Sequence, residues 1–202
     1  MDISETIIKE LIKKKAAKPE DLARLKRRFA KRFRLPCPPS SLLLKAYHNL
    51  TIQGKIKGND GLARLLRTKK VRSLSGVVSV SVLTKPYPCP GHCLHCPTQP
   101  GLPKSYLRGE PAVMRALANH FDPYLQVSSR LRSLEATGHE TGKIELIILG
   151  GTWSALPERY QDHFIAECFR AANEYGWKRK GRYRDLEKLQ RTNEESRCRI
   201  IG

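Results

Sequence analysis

Two apolar runs constrain this chain most. Val77-Val78-Ser79-Val80-Ser81-Val82-Leu83 and Ile144-Glu145-Leu146-Ile147-Ile148-Leu149 are rich in β-branched residues and have the length of buried strands. Pro86 and Pro88 end the first run, since proline brings no amide to a ladder, and Gly150-Gly151 closes the second. Between the runs lie a loop rich in proline and glycine and an apolar stripe of Val113, Leu117, Phe121, Leu125 and Leu131. The stripe predicts one long helix from Glu110 to Ala136, bent at Pro123 and ended by Gly138. A second helix is expected from Pro157 to about Glu174, and Arg199-Ile200-Ile201 begins a third strand. Strand, helix, strand, helix, strand is the order of a parallel sheet covered by helices. In such sheets ligands collect beyond the carboxyl ends of the strands.

Before Gly76 the chain has a different character. Ser4 is placed to cap a first helix carrying Ile7, Ile8, Leu11 and Ile12, and Pro19 with Glu20 and Asp21 opens a second. Leu22, Leu25, Phe29 and Phe33 form the core stripe of that second helix, and its other faces carry Arg24, Lys26, Arg27, Arg28, Lys31 and Arg32. Pro36, Pro38 and Pro39 stop it, a third helix begins near Leu42, and a short one spans Leu62 to Leu66 before the basic patch Arg67, Lys69, Lys70 and Arg72.

Charge narrows the partners. The 202 residues hold 38 Lys and Arg against 19 Asp and Glu, a net charge of +19. Residues 1–72 hold 20 of the basic residues and 6 of the acidic ones, so +14 of the excess lies in roughly the first third. A concentrated positive field suits a polyanion, and nucleic acid is the expected partner, with the six cations of the second helix as candidate contacts. No run approaches the ~18 apolar residues of a membrane span. Met1-Asp2-Ile3-Ser4-Glu5 lacks the basic-then-apolar order of a secretory signal, so a soluble intracellular protein without a membrane partner is expected.

Three of the six cysteines, Cys89, Cys93 and Cys96, fall within eight residues directly after the first strand. That clustering is no disulfide framework and points to metal or catalysis. Zinc held structurally takes four protein ligands, and His92 or His95 can supply the fourth only if this short loop turns every donor inward. A cubane iron–sulfur cluster needs only the three thiolates and leaves one iron open to a small molecule. Both readings stand on the residues alone: a cluster-bearing enzyme, or a zinc-stapled basic module that binds RNA and catalyses nothing. Cys168, beside Phe164, Ile165 and Phe169, reads as a buried small hydrophobe, and Cys37 and Cys198 have no partner at ligand spacing. Residues 177–199, "WKRKGRYRDLEKLQRTNEESRCR", read as a mobile solvated connection whose arginines and aromatics can alternatively touch RNA.

The C-x3-C-x2-C spacing after a first strand resembles the radical S-adenosylmethionine superfamily. Longer stretches resemble one family within it, the Elongator catalytic subunits, tRNA uridine synthases with a C-terminal acetyltransferase-like domain. These are "VRSLSGVVSVSVLTKPYPCP", "KSYLRGEPAVMRA", "DPYLQ", "IELIILGGTWSALPERYQDHFI" and "NEESRCRIIG", and the likeness covers the chain from about residue 20 to its end. The resemblance implies a 4Fe-4S cluster on Cys89, Cys93 and Cys96, with S-adenosylmethionine chelating the open iron. It implies cofactor contacts at Gly150, Gly151 and Thr152, where Thr152 stands in place of the usual acid. Reductive cleavage of S-adenosylmethionine would give a deoxyadenosyl radical that takes hydrogen from acetyl-coenzyme A, and a carboxymethyl group would join C5 of the wobble uridine. The partners implied are tRNA, facing the N-terminal helices, and either a second copy or other Elongator subunits, in the cytoplasm. Lys104, Tyr106 and Arg115 are candidate walls of the site, with a structural role for each as the alternative. Many family members have a longer insertion between the first two cysteines and Cys-Pro-Gly-Gly after the third, where this chain has Cys96-Pro97-Thr98-Gln99.

The expected class is therefore α/β: a basic helical tRNA-binding region at residues 1–72, then the first βα units of an incomplete radical SAM TIM-like barrel at 73–202. With the third strand barely begun and no acetyltransferase-like segment, the 202 residues are expected to be a fragment, inactive by itself.

Overall fold

A computed structural model describes residues 3–15, 18–68, 73–176 and 185–202. Lys69, Lys70 and Arg72 of the basic patch, and residues 177–184 of the charged connection, lie outside that set. The chain forms two compact units, Met1–Leu74 with Ser133–Glu140, and Ser75–Arg132 with Thr141–Gly202.

The first unit begins with four helices: α1 (Ile3–Lys13), α2 (Pro19–Phe33), α3 (Ser40–Ile52) and α4 (Asp60–Leu66). Pro19 opens α2 with its φ already helical, and Glu20 and Asp21 sit in the first turn, where the backbone dipole favours anions. The helix ends as Arg34 turns left-handed at φ 54°, letting Leu35 N donate back to Ala30 O at 3.0 Å. Asn59 starts α4 by accepting from Leu62 N at 3.0 Å, and Tyr47 Oη holds Asn59, accepting from its amide at 2.6 Å and donating to its carbonyl at 3.0 Å. Ile7, Ile8 and Leu11 pack with Leu22, Leu25 and Phe29 and with Leu43, Tyr47, Leu50 and Leu66. Two expectations need correction. Ser4 is no cap, because α1 begins at Ile3 and Ser4 is buried within its first turn. Phe33 is not core: as the last residue of α2 it has run past the packed stripe, is 44% exposed, and stacks on Phe29 with ring centres 6.1 Å apart.

The second unit is a parallel sheet ordered β1 (Val78–Leu83), β2 (Lys143–Leu149), β3 (Arg199–Ile200). Val78 pairs with Ile144 and Leu83 with Leu149, so β1 and β2 end level with each other. Val78, Val80 and Val82 are fully buried, whereas Ser79 is exposed and donates to Glu145 Oε2 at 2.9 Å. The strand read from the sequence as buried thus separates a covered face from a polar one over its first residues.

The single long helix expected between β1 and β2 is two, α5 (Pro111–Ala118) and α6 (Pro123–Ala136). His120 and Phe121 at φ 53° and 56° are left-handed, a backbone no α-helix admits. Asp122 then restarts the chain by accepting from Leu125 N at 2.8 Å, with Pro123 in the first turn. Helix α7 (Glu158–Glu174) lies where expected. The stretch read as a solvated connection contains α8 (Leu186–Glu194), started by the Asp185 carboxylate accepting from Glu187 N at 3.0 Å and anchored by buried Leu189 and Asn193. No described helix is long and apolar enough to cross a membrane.

Candidate functional site

The level ends of β1 and β2 place two loops side by side. Beyond Leu83 come Thr84, Lys85 and the cysteine loop, and beyond Leu149 come Gly150, Gly151 and Thr152. Thr84 N donates to Leu149 O at 2.9 Å and extends the ladder by one bond. The Thr84 side chain, almost fully buried, fills the space over Gly150: a Cβ built there would overlap Thr84 Oγ1. Glycine at position 150 is therefore a packing requirement, beyond the turn that the sequence suggests.

Cys89 and Cys96 are half-buried and Cys93 is exposed. Gly91 separates the first two, and a Cβ built there would lie 3.6 Å from Cys93 Sγ and 3.9 Å from Cys89 Sγ. Both sulfurs thus flank a backbone position that lacks a side chain. Among the described residues no three His, Cys, Asp or Glu side chains already converge as a metal cluster would require. His92 and His95 are exposed. The donor set nonetheless fits a thiolate-ligated group: three accessible thiols on one short loop, two of them around a gap a Cβ would fill.

The two loops also touch. Cys89 Sγ and Thr152 Oγ1 are 3.3 Å apart. That hydrogen bond, helped by the backbone at Gly91 and by the charge of Lys104, holds the Cys89 thiol below its ordinary range. Thr152, expected as a cofactor contact in place of the usual acid, has this contact with Cys89. Lys104 packs its stem against Gly151 and donates through Nζ to Thr98 Oγ1 at 2.5 Å.

A cleft of about 110 Å³ opens at this end of the sheet, walled by Thr84, Lys85, Tyr106, Gly150, Gly151 and Trp153 among others. It encloses only part of a ligand of nucleoside size, since pockets that bury such molecules run to roughly 300–1,000 Å³. Of the expected wall residues Tyr106 lines it, Lys104 lies beside Gly151, and Arg115 on α5 is not among its walls. Thr84 and Lys85 are wall residues no sequence signal marked, and Tyr160 stands against Lys85. Burial raises the Tyr160 phenol above its ordinary range and keeps it neutral; its Oη accepts from Lys85 N at 3.0 Å, and Lys85 Nζ sits 4.5 Å from its ring centre.

In the first unit, Arg24, Arg27, Arg28, Lys31 and Arg32 of α2 are exposed, while Lys26 is half-buried and donates to Ser40 Oγ at 3.4 Å. Among the described residues none of these six forms an ion pair. The helix thus presents uncompensated positive charge along one surface, as phosphate binding needs.

No protein-family model matches the chain. It is 45% identical to the tRNA uridine(34) acetyltransferase of Methanocaldococcus infernus over 147 residues, 70% of this chain and 26% of that protein. The protein of the same name from Methanocaldococcus jannaschii is 46% identical over the same shares. Elongator complex protein 3 of Drosophila melanogaster is 33% identical over 208 residues, 97% of this chain and 36% of that protein. A solved structure, the archaeal Methanocaldococcus infernus Elp3 with an N-terminal deletion (1-46), is 35% identical with a TM-score of 0.43, covering 63% of this chain and 22% of that one. The chain spans roughly a quarter to a third of the length of the curated relatives it matches.

Proposed function

From a chain homologous to the tRNA uridine(34) acetyltransferases and to Elongator complex protein 3, we propose the cluster- and cofactor-holding part of a tRNA wobble-uridine-modifying enzyme. The observation that carries this reading is the meeting of two loops at the level ends of β1 and β2, joined by the Cys89–Thr152 hydrogen bond. Cys89, Cys93 and Cys96 hold a 4Fe-4S cluster through their thiolates. Bound there, such a cluster supplies one electron to S-adenosylmethionine. The Thr152 hydrogen bond lowers the Cys89 thiol from its ordinary range and so favours the thiolate that a metal takes. Gly151 leaves the backbone bare beside the cleft, so that the methionine end of the cofactor can approach its peptide group, and Gly150 lets Thr84 pack close beneath it. The cleft of about 110 Å³ receives that end and leaves the nucleoside to further parts of the whole protein.

The basic surface of α2 takes the tRNA backbone, and acetyl-coenzyme A is the carbon donor for a carboxymethyl group at C5 of the wobble uridine. A radical SAM barrel in the whole protein, association with a second copy or with Elongator subunits, and a cytoplasmic location belong to the same proposal. Anaerobic reconstitution with ferrous iron and sulfide tests it. About four irons per chain with matching sulfide, and an electron paramagnetic resonance signal of the reduced cluster that changes when S-adenosylmethionine is added, are expected. One zinc without sulfide would establish the zinc-stapled RNA-binding module instead.

A further inference from the structure

We propose that Gln126 is a positioning residue for the cysteine loop: its side-chain amide takes the place of a neighbouring strand at the last residue of β1 and fixes where Cys89, Cys93 and Cys96 stand. This rests on the cluster reading above and assigns a role to the "DPYLQ" stretch, which that reading leaves unexplained.

Leu83 is fully buried, and among the described residues β1 has β2 on one edge and no strand on the other. On the edge where the described residues place no strand, the Leu83 amide and carbonyl need partners, because a buried backbone group left unpaired is costly. Gln126 supplies both: Oε1 accepts from Leu83 N at 3.0 Å and Nε2 donates to Leu83 O at 3.0 Å. The side chain is itself only 2% exposed, so these bonds exchange little with water. A methionine of similar shape would cover equal apolar surface without engaging the backbone. The amide therefore acts as a strand one residue long.

The following residue is clamped from the opposite side, where Thr84 N donates to Leu149 O at 2.9 Å and the Thr84 side chain abuts Gly150. Leu83 and Thr84 are thus held from both edges immediately before the chain enters the cysteine loop. The clamp is anchored in its turn. Asp122 caps the first turn of α6, and Tyr124 Oη donates to Glu174 Oε2 of α7 at 2.8 Å with the Arg170 guanidinium 4.5 Å from its ring centre. The five residues Asp122 to Gln126 therefore tie α6 to α7 at one end and to the pivot of the cysteine loop at the other.

The test uses Gln126→Met in the 202-residue chain, read by hydrogen exchange and by anaerobic reconstitution with ferrous iron and sulfide. Retained far-ultraviolet dichroism, amide exchange at Leu83 and Thr84 faster by about tenfold or more, and iron content reduced by about half with a weakened response to S-adenosylmethionine are expected. Faster exchange at Leu83 with iron content and response unchanged would confine Gln126 to the fold and overturn the proposal. Should Gln126→Met fail to melt cooperatively, Gln126→Glu gives the same readings: it keeps an acceptor for Leu83 N and loses the donor to Leu83 O. A wild-type chain that takes up no iron defeats the cluster reading itself. The clamp is then judged from the relative alkylation rates of Cys89, Cys93 and Cys96, whose constancy in Gln126→Met would overturn it independently.

Discussion

At Gly150 one missing methyl group decides how two strand ends meet, because Thr84 Oγ1 occupies the space a Cβ would need. Gly150→Ala is therefore expected to destabilise the chain by about 1–3 kcal/mol, the usual cost of overpacking, measured by urea denaturation. Thr84→Ala in the same chain removes the obstructing hydroxyl and should recover part of that loss, whereas additive effects would show that the two side chains do not meet. The six thiols divide as sharply. Burial, reinforced by the charges of Glu167 and Asp122, pushes the fully buried Cys168 thiol far up, so it stays protonated around neutral pH. Cys198 is also fully buried. Native alkylation read by mass spectrometry should mark Cys37, Cys89, Cys93 and Cys96 and reach Cys168 and Cys198 only after denaturation. Because the Thr152 hydroxyl stabilises the Cys89 thiolate, the rate of Cys89 in the metal-free chain should rise with pH earlier than that of an ordinary thiol. Thr152→Val should move that rise to higher pH. The cysteines, the paired glycines and burial of Cys168 were legible as residues. Thr84, Lys85 and Gln126 were not, since their importance lies in contacts across 43 to 75 positions that no local pattern records.

The strands and α7 were legible because β-branched runs and prolines act locally, and the strand pairing followed from their order. The break between α5 and α6 was hidden because Leu117, Phe121 and Leu125 keep helical spacing across it. The spacing survives while the backbone turns left-handed at His120 and Phe121, where Asn119 N can still bond back to Arg115 O at 3.1 Å and Asp122 starts afresh. Helix α8 was hidden for another reason: its composition is that of a solvated loop, and besides Leu189 its anchor is a buried amide. Asn193, 2% exposed, donates to Asn173 Oδ1 at 2.6 Å and to Cys198 O at 3.0 Å, and accepts from Ile200 N at 2.7 Å. It therefore holds β3 to α7 through a helix that hydropathy does not mark. Asn193→Leu fills the volume but takes the acceptor from Ile200 N, at roughly 1–3 kcal/mol, while Cys198 O keeps the Ser196 hydroxyl at 2.9 Å. A lowered melting temperature with selectively faster exchange at Ile200 is the expected result. An unchanged exchange rate at Ile200 would show that β3 is held by β2 alone.

Across the whole chain the +19 charge sets two opposing salt effects. In the free chain like charges repel, so added salt screens the repulsion and favours the folded units. On a nucleic acid the same cations displace condensed counterions, so added salt weakens binding. The cations of α2 should dominate the second effect, because none of them is neutralised in an ion pair among the described residues, whereas Lys188 and Arg191 of α8 already face Asp185 and Glu187 at 3.8 Å. Binding of the 202-residue chain to an unmodified tRNA transcript should therefore fall steeply with salt. Arg27→Gln and Arg28→Gln should each flatten the slope of log affinity against log salt by about 0.7–0.9, the value of one phosphate contact. Lys188→Gln, whose charge is partly satisfied within its own helix, should leave the slope near the wild-type value. Equal flattening by all three would mean that net charge alone attracts the RNA, with no preferred face. A slope unmoved by Arg27→Gln and Arg28→Gln would remove α2 from the RNA-binding surface while leaving the cysteine loop and its partners at the sheet end untouched.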